Sequence, residues 1–544
     1  MRALLLGTIR SSPSSALSQC CPSVHVRTVR RRHLSTSIAR PVLWKRTFYN
    51  TIFVLGSGLF YLYVTDVRAS VHSWFVVPLV QTLWPDAEAA HNVGNVSLKM
   101  LWHFGLHPRE RTSQIGDKNL HVDLFGYDLV NPIAISAGLD KAADIPDALF
   151  ALGPSVVEIG GVTPLSQPGN AKPRVFRIPS QNAIINRYGL NSHGADRMAD
   201  ILQHRVRRFA ASQGLGSDFA SEQYVLDGHA GVPPGSLTSG RLMAINIAKN
   251  KDTPDSDLER VKQDYASCVK KLGPYADILV INVSSPNTPG LRSLQQSTPL
   301  TEILAAVAEA ARKVPRSRRP ALMVKVSPDE DSDAQIKAIA GAVWETGADG
   351  IIVANTTRKR PDPSPPGYSL APVEQAAITE DGGYSGQQLF GQTLSLIMKY
   401  RAALDRPSGR NRNARTDFID RLGSKAVPSI AELHPAENLE SHEGPLEHER
   451  QQDNVDHASH PASSIPLLRY PANNNGHEKV IFASGGIANG KQALEALNAG
   501  ASIAMLYTAL VYGGAGTVAR IKDEMSTGTN KGKKAACDQD SEIC

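Results

Sequence analysis

The 544 residues exceed one ordinary domain, and a barrel of about 250–350 residues with terminal extensions accounts for them. The net charge of +6 is concentrated in residues 1–46, which hold eight Arg and one Lys and no Asp or Glu; the rest of the chain stands at −3, with no basic, aromatic-interleaved stripe to favour nucleic acid. Five cysteines, at 20, 21, 268, 537 and 544, make neither a disulfide framework nor paired CxxC motifs, so a disulfide-stapled or zinc-built protein is disfavoured, no metal is expected, and Cys268 reads as a buried apolar thiol.

Residues 1–40 are rich in Arg and Ser and free of acids, the composition of a mitochondrial transit peptide. Thr47 to Thr65 follows as 19 uncharged residues, which as a helix would span about 28 Å, close to the hydrocarbon thickness of a bilayer. Lys45 and Arg46 before this stretch and Asp66 after it predict a transmembrane helix over 47–65, with the leader end in the matrix and the body on the intermembrane-space side of the inner membrane. Val71 to Leu106 places Trp74, Phe75, Leu79, Leu83, Val96, Leu101 and Trp102 at helical spacing, broken by Pro78 and Pro85. Two short amphipathic helices fit residues 70–107, and their apolar face suits either lipid and a hydrophobic ligand or packing against the body.

From Asn131 the rhythm changes to short apolar runs alternating with longer helical patterns. Eight strands are predicted: Pro132 to Ser136, Val156 to Ile159, Leu242 to Ile247, Ile278 to Val283, Ala321 to Val326, Gly350 to Ala354, Val480 to Ala483 and Ser502 to Leu506. Helical patterns lie between them at Ala266 to Leu272, Leu300 to Val314, Asp333 to Thr346, Leu394 to Leu404 and Gln492 to Ala499. This alternation predicts an α/β fold, a (β/α)8 TIM barrel over 115–525. Two stretches look peripheral: the Gly- and Ser-punctuated Gln213 to Gly240, and the polar 406–478, whose six histidines lack supporting ligand spacing and which reads as a disordered insertion. The tail 526–544 reads the same way.

A barrel enzyme collects its chemistry at the carboxyl ends of its strands. There the sequence offers Ala137-Gly138 and Lys141, then Gly160-Gly161, Asn246 and Lys249, Lys325, Asn355-Thr356-Thr357, Ser484-Gly485-Gly486, and Tyr507-Thr508. Together they describe a phosphate clamp, a lysine for a planar ring and several amides for a small polar anion. The fourth strand runs into Asn282, Ser284, Ser285, Asn287 and Thr288 among stiffening prolines, either an active-site loop or a turn capping the next helix. No His, Asp or Glu stands out as a base, and Ser285 is the hydroxyl best placed to exchange a proton unless it only caps a helix.

The motifs NPIAISAGLDK (131–141), EIGGVTP (158–164), NRYG (186–189), NSHG (191–194) and NVSSPNTPGLR (282–292) resemble those of the membrane-bound, quinone-reducing class 2 dihydroorotate dehydrogenases. The resemblance implies an FMN enzyme, expected as a monomer, that oxidises dihydroorotate to orotate in pyrimidine biosynthesis and passes the electrons to ubiquinone. It implies Ser285 as the base at C5 while hydride leaves C6. It implies Lys141, Asn186, Asn282, Asn287, Asn355 and Thr356 around the substrate, and Ala137, Gly138, Gly161, Asn246, Asn282, Lys325, Gly386, Gly486, Tyr507 and Thr508 around FMN. His91 and Arg177 match positions that line the quinone tunnel in similar proteins, and the loop Arg358 to Tyr384 matches the family's lid. A soluble acceptor such as fumarate or NAD is the alternative; Ser285 in place of a cysteine base and the N-terminal anchor speak against it. Gly161 stands where a hydroxyl residue is usual, Ala354 replaces a frequent threonine, and Leu139 and Leu190 replace frequent phenylalanines.

Overall fold

The computed structural model describes residues 40–111, 120–288, 291–363, 365–405 and 479–527. Most of the predicted leader, the insertion 406–478 and most of the tail lie outside them. Residues 1–60 and 61–544 form two units.

In the second unit eight parallel strands close into a barrel. In chain order they are β1 Ile133–Ile135, β2 Val156–Val162, β3 Leu242–Ile247, β4 Ile278–Asn282, β5 Ala321–Lys325, β6 Gly350–Val353, β7 Val480–Ser484 and β8 Ile503–Leu506. Each pairs with the next, and β8 returns to β1 through Ala504 opposite Ile133 and Met505 opposite Ala134. Strands covered on both faces are apolar throughout rather than alternating, and every residue of β3, β4 and β5 is buried. One set of side chains, among them Ala244, Val280, Met323, Ile352, Phe482 and Met505, packs the barrel interior, and the hairpin Val122–Leu124 with Tyr127–Leu129 adds Leu124 and Leu129 to that layer. The other set meets the surrounding helices, including Ala195–Ser212, Leu258–Leu272, Ser297–Arg312, Asp333–Thr346 and Phe390–Leu404.

The barrel answers the sequence expectation, with strand ends within three residues of those predicted. The largest difference is at β2, which continues through a bulge between Gly160 and Val162. Gly160 has φ +92, and a Cβ there would lie 2.6 Å from the Asn246 carbonyl oxygen, so only glycine allows this approach of β2 to β3. Gln213 to Gly240 is not peripheral. It contains the helix Phe219–Leu226, capped by Asp218, with Val225 and Leu226 buried, and its Gly235 and Ser236 amides donate to the buried Asp277 carboxylate at 2.8 Å. Eight helical residues between glycine-rich turns give too short a periodic signal to read. Cys268 is fully buried, as expected, and burial pushes its thiol pKa up.

The N-terminal helix runs from Arg40 to Val64, with Trp44–Val64 long and apolar enough to cross a membrane; its start precedes the expected Thr47 because Lys45 and Arg46 favour helix as readily as they flank one. In the second unit, a π-helical turn His72–Val76 leads into the helix Val77–Leu83. Pro78 therefore does not break the segment; it sits in a first turn, where a missing N–H costs little. The chain turns at Trp84 and Pro85, and Asp86 caps the helix Ala87–His103 by accepting from Ala89 N at 2.7 Å. One face of that helix is pinned to the barrel. Arg174 donates from Nε and Nη2 to both oxygens of the buried Glu88 carboxylate, at 2.9 and 2.8 Å, and these bonds hold the carboxyl pKa below its ordinary value. The opposite face leaves Val96, Met100 and Phe104 exposed.

Removing one partner of a buried pair costs about 3–5 kcal/mol. Arg174→Ala is expected to raise amide hydrogen exchange across residues 87–103 by tenfold or more while β4 keeps its protection. An unchanged pattern would mean that apolar contacts alone hold the helix.

Candidate active site

The carboxyl ends of the strands open into a cavity of about 370 Å3. It is lined by Ser285, Lys141, Asn186, Asn282, Asn287, Asn355 and Thr356, and by Ala137, Gly138, Gly161, Asn246, Lys325, Gly386, Gly486, Tyr507 and Thr508. Sixteen residues spread from 137 to 508 in the sequence thus meet at one place because each follows, or ends, a barrel strand or the small sheet beside it. That sheet, Val175–Ile178, Ala183–Asn186 and Gly383–Ser385, is antiparallel; its short strands were not foreseen, and it carries Asn186 to the cavity rim. His91 and Arg177 are not among the lining residues.

At the floor lies a carboxylate that the strand-end residues of the sequence do not reveal. Glu158, fully buried in β2, accepts from Lys325 Nζ at 3.0 and 3.3 Å, from Asn246 Nδ2 at 2.7 Å and from the Ala137 amide at 2.9 Å. The signal was present, a lone carboxylate in the run Val-Val-Glu-Ile. Its chemistry is that of an anchor, since every contact serves to hold a cavity-lining group. The chain of amides continues: Asn282 Nδ2 donates to Asn246 Oδ1 at 3.1 Å, and Asn355 Nδ2 to Ser284 Oγ at 3.0 Å.

On the opposite side Lys141 donates to Asn191 Oδ1 at 2.6 Å, and its ammonium lies 3.0 Å from the centre of the Tyr188 ring. Burial, aided by the Arg174 guanidinium, pushes its pKa down to about 7. Beside it Asn287 Nδ2 donates to Asn186 Oδ1 at 3.3 Å. Ser285 is nearly buried, and its Oγ accepts from the Asn287 amide at 3.4 Å. The result is one lysine and several amides on the same side of the cavity, groups suited to a small anion.

A third region is built from backbone. Gly485 and Gly486 have φ +142 and +74, and a Cβ on Gly486 would lie 2.4 Å from Phe390 N. Thr508 Oγ1 donates to Ser385 Oγ at 3.0 Å, and Arg520, not foreseen in the sequence, also lines the cavity. Glycine turns after the last two strands of a barrel are suited to a phosphate. The residues present suit the flavin mononucleotide that the resemblance implies: the Gly485 and Gly486 backbone would offer amides to a phosphate, and Ala137, Gly138 and Lys325 would offer small side chains and a positive charge to the remainder. Gly161 and Leu190, two departures from the family pattern, lie against each other; a Cβ at 161 would sit 2.9 Å from Leu190 Cδ2.

His91 and Arg177 belong to the contact between the helical segment and the barrel. His91 Nε2 lies 2.9 Å from the Leu139 carbonyl oxygen, one residue beyond the cavity wall at Gly138, and burial lowers the imidazole pKa. Arg177 donates to the carbonyls of Trp84, at 3.2 Å, and Pro85.

Fold and site define a (β/α)8-barrel enzyme whose cavity holds an anchored lysine on one side and a small-anion recess on the other. The family described as dihydroorotate dehydrogenase matches residues 119–406 and 462–528. A protein named dihydroorotate dehydrogenase (quinone), mitochondrial, from Lachancea kluyveri is 33% identical over 481 residues, covering 87% of this chain and 85% of that relative. Its namesake from Mus musculus is 32% identical over 486 residues, covering 89% and 93%. The crystal structure of DHODH in complex with ferulenol from Eimeria tenella superposes with a TM-score of 0.58 at 28% identity, over 83% of this chain and 95% of that one. The chain belongs to the dihydroorotate dehydrogenase family.

Glu158→Gln leaves the Lys325 ammonium buried without its counter-charge. In the flavin-free protein, Glu158→Gln and Lys325→Met are each expected to cost about 3 kcal/mol, and the double variant less than the sum. Denaturant melts of the four proteins check this, and strict additivity would show that the pair is not coupled.

Proposed function

We propose that this chain oxidises (S)-dihydroorotate to orotate in de novo pyrimidine synthesis, with FMN as first electron acceptor and ubiquinone as the last. The observation that carries the reading is the convergence of Ser285, Lys141 and the amides of Asn186 and Asn287 on one recess that shares a cavity with the Glu158-anchored Lys325. Bound FMN would supply a two-electron acceptor for the hydride released from C6. Lys141 would pair with the substrate carboxylate, and Asn186, Asn282, Asn287, Asn355 and Thr356 would orient the ring by hydrogen bonds to its amides. Ser285 Oγ would take the C5 proton. A neutral serine is a weak base, so its contribution depends on position and on the exclusion of bulk water that its burial provides. Lys325, held by Glu158, would place positive charge where the cofactor becomes electron-rich. Ala137, Gly138, Gly161, Asn246, Gly386, Gly486, Tyr507 and Thr508 would seat that cofactor by backbone and side-chain contacts.

The helical segment supports the quinone half. Trp74, Phe75, Leu79 and Leu83 are exposed on it, and His91 touches the wall behind Gly138. A quinone head reaching His91 and Arg177 from that apolar side would come close to the cofactor cavity without entering the substrate recess. With the helix Arg40–Val64 as anchor, the protein would sit in the mitochondrial inner membrane with its barrel in the intermembrane space, the orientation that Lys45 and Arg46 favour.

Ser285→Ala is expected to retain bound flavin and to slow its reduction by dihydroorotate at least about 100-fold, the ordinary worth of a positioned base. Anaerobic single-turnover absorbance measures this, and an unimpaired rate would remove Ser285 from the chemistry.

With a pKa near 7 Lys141 is largely neutral above that pH, and an anionic ligand beside it restores the charge. Orotate binding should therefore take up roughly one proton per site at about pH 8, and its affinity should fall up to about tenfold per pH unit above 7. Calorimetry in buffers of different ionisation enthalpy tests this; Lys141→Met should abolish the uptake.

A further inference from the structure

A second recess, of about 360 Å3, lies between the helix Ala87–His103, residues 143–145 with the start of the helix Pro146–Ala151, and the helix Ala195–Ser212, and shares no lining residue with the active-site cavity. Its walls are basic. Lys99 and His103, one turn apart, face it from the first helix; Arg197, His204, Arg205 and Arg208 recur along one face of the second. Two carboxylates answer these charges. Asp144 pairs with Lys99, and Asp147 accepts from Arg205 at 2.5 Å and lies 4.0 Å from Arg208. Four permanent cations against two carboxylates leave the recess at +2 with both histidines neutral, and Arg197 has no carboxylate partner among the described residues. Trp102 and Ile201 supply apolar wall.

The neighbourhood decides what such a recess would take. Next to the Lys99 and His103 edge, on the same helix, runs the stripe Val96, Met100 and Phe104, exposed at 62%, 55% and 65%. A row of large apolar side chains bordered by a basic pocket matches a lipid, acyl chains on the stripe and phosphate among guanidinium groups. We propose that this recess is a binding site for the headgroup of an anionic phospholipid, built where the amphipathic helix Ala87–His103 meets the barrel. The proposal rests on the membrane-facing reading of that helix and not on the reaction.

The test uses the flavin-loaded full chain in neutral detergent. Dihexanoyl phosphatidylglycerol, dihexanoyl phosphatidylcholine and inorganic phosphate are titrated below micelle formation, followed by tryptophan fluorescence, to which Trp102 contributes, and by calorimetry. The glycerol lipid should bind at least about tenfold tighter than the choline lipid, with a preference that falls as salt rises, and phosphate alone should bind no better than the choline lipid. Arg197→Glu with Arg208→Glu should abolish the preference while keeping the flavin spectrum and turnover with a short-chain quinone; Arg197→Gln with Arg208→Gln gives the same comparison if charge reversal impairs folding. Equal binding of the two lipids, or a preference that survives both double variants, would overturn the proposal. Phosphate binding as tight as the glycerol lipid would make the recess a free-anion site and overturn the lipid assignment. Flotation of the wild type on vesicles of neutral phosphatidylcholine tests separately whether the protein engages a membrane at all.

Discussion

A single carboxylate draws the active-site end of the barrel together. Glu158 on β2 accepts from the backbone after β1, from Asn246 on β3 and from Lys325 on β5, and Asn246 passes the network to Asn282 at the end of β4. Burying a charge there is expensive, and the pair with Lys325 need not make the fold more stable than an apolar pair of the same size would. What the arrangement secures is a lysine cation with a fixed direction, surrounded by amides whose own partners are already chosen. Positional freedom at the floor of the cavity is thereby removed before any ligand arrives.

A second constraint ties the helix Ala87–His103 to this floor. The Glu88–Arg174 pair holds the helix Ala87–His103 against the strand that starts at Val175, and His91 and Asn95 on the same helix reach the Leu139 carbonyl oxygen. Arg174 also lowers the proton affinity of Lys141, so the helix contact and the anion recess share one electrostatic neighbourhood. The helix contact thus falls on the carbonyl of the residue that directly follows the cavity-lining Gly138.

Much of this is legible in the sequence. Strands buried on both faces announce themselves as runs such as Ile-Leu-Val-Ile, and the polar residues that follow them had to converge once the barrel closed. Assigning roles to Ser285, Lys141 and Lys325 needed family resemblance, because spacing alone left Ser285 as either a base or a cap. What escaped had weak local signals. The short antiparallel sheet that carries Asn186 is built of strands of only three or four residues, too short for a periodic signal, and the helix Phe219–Leu226 hides between glycines. Glu158 was visible as a residue but not as an anchor, since its partners are 21, 88 and 167 positions away. Pro78 suggested a break where the chain simply starts a new helical turn.

On the proposed reading two half-reactions use one cofactor, reduced from the substrate recess and reoxidised from the helical side. The most direct measurement is anaerobic sequential stopped-flow absorbance on the flavin-loaded protein, first with dihydroorotate and then with a short-chain ubiquinone. The oxidised flavin band is expected to bleach in the first mix and to recover in the second. Bleaching followed by recovery with fumarate or NAD but not with quinone would contradict it.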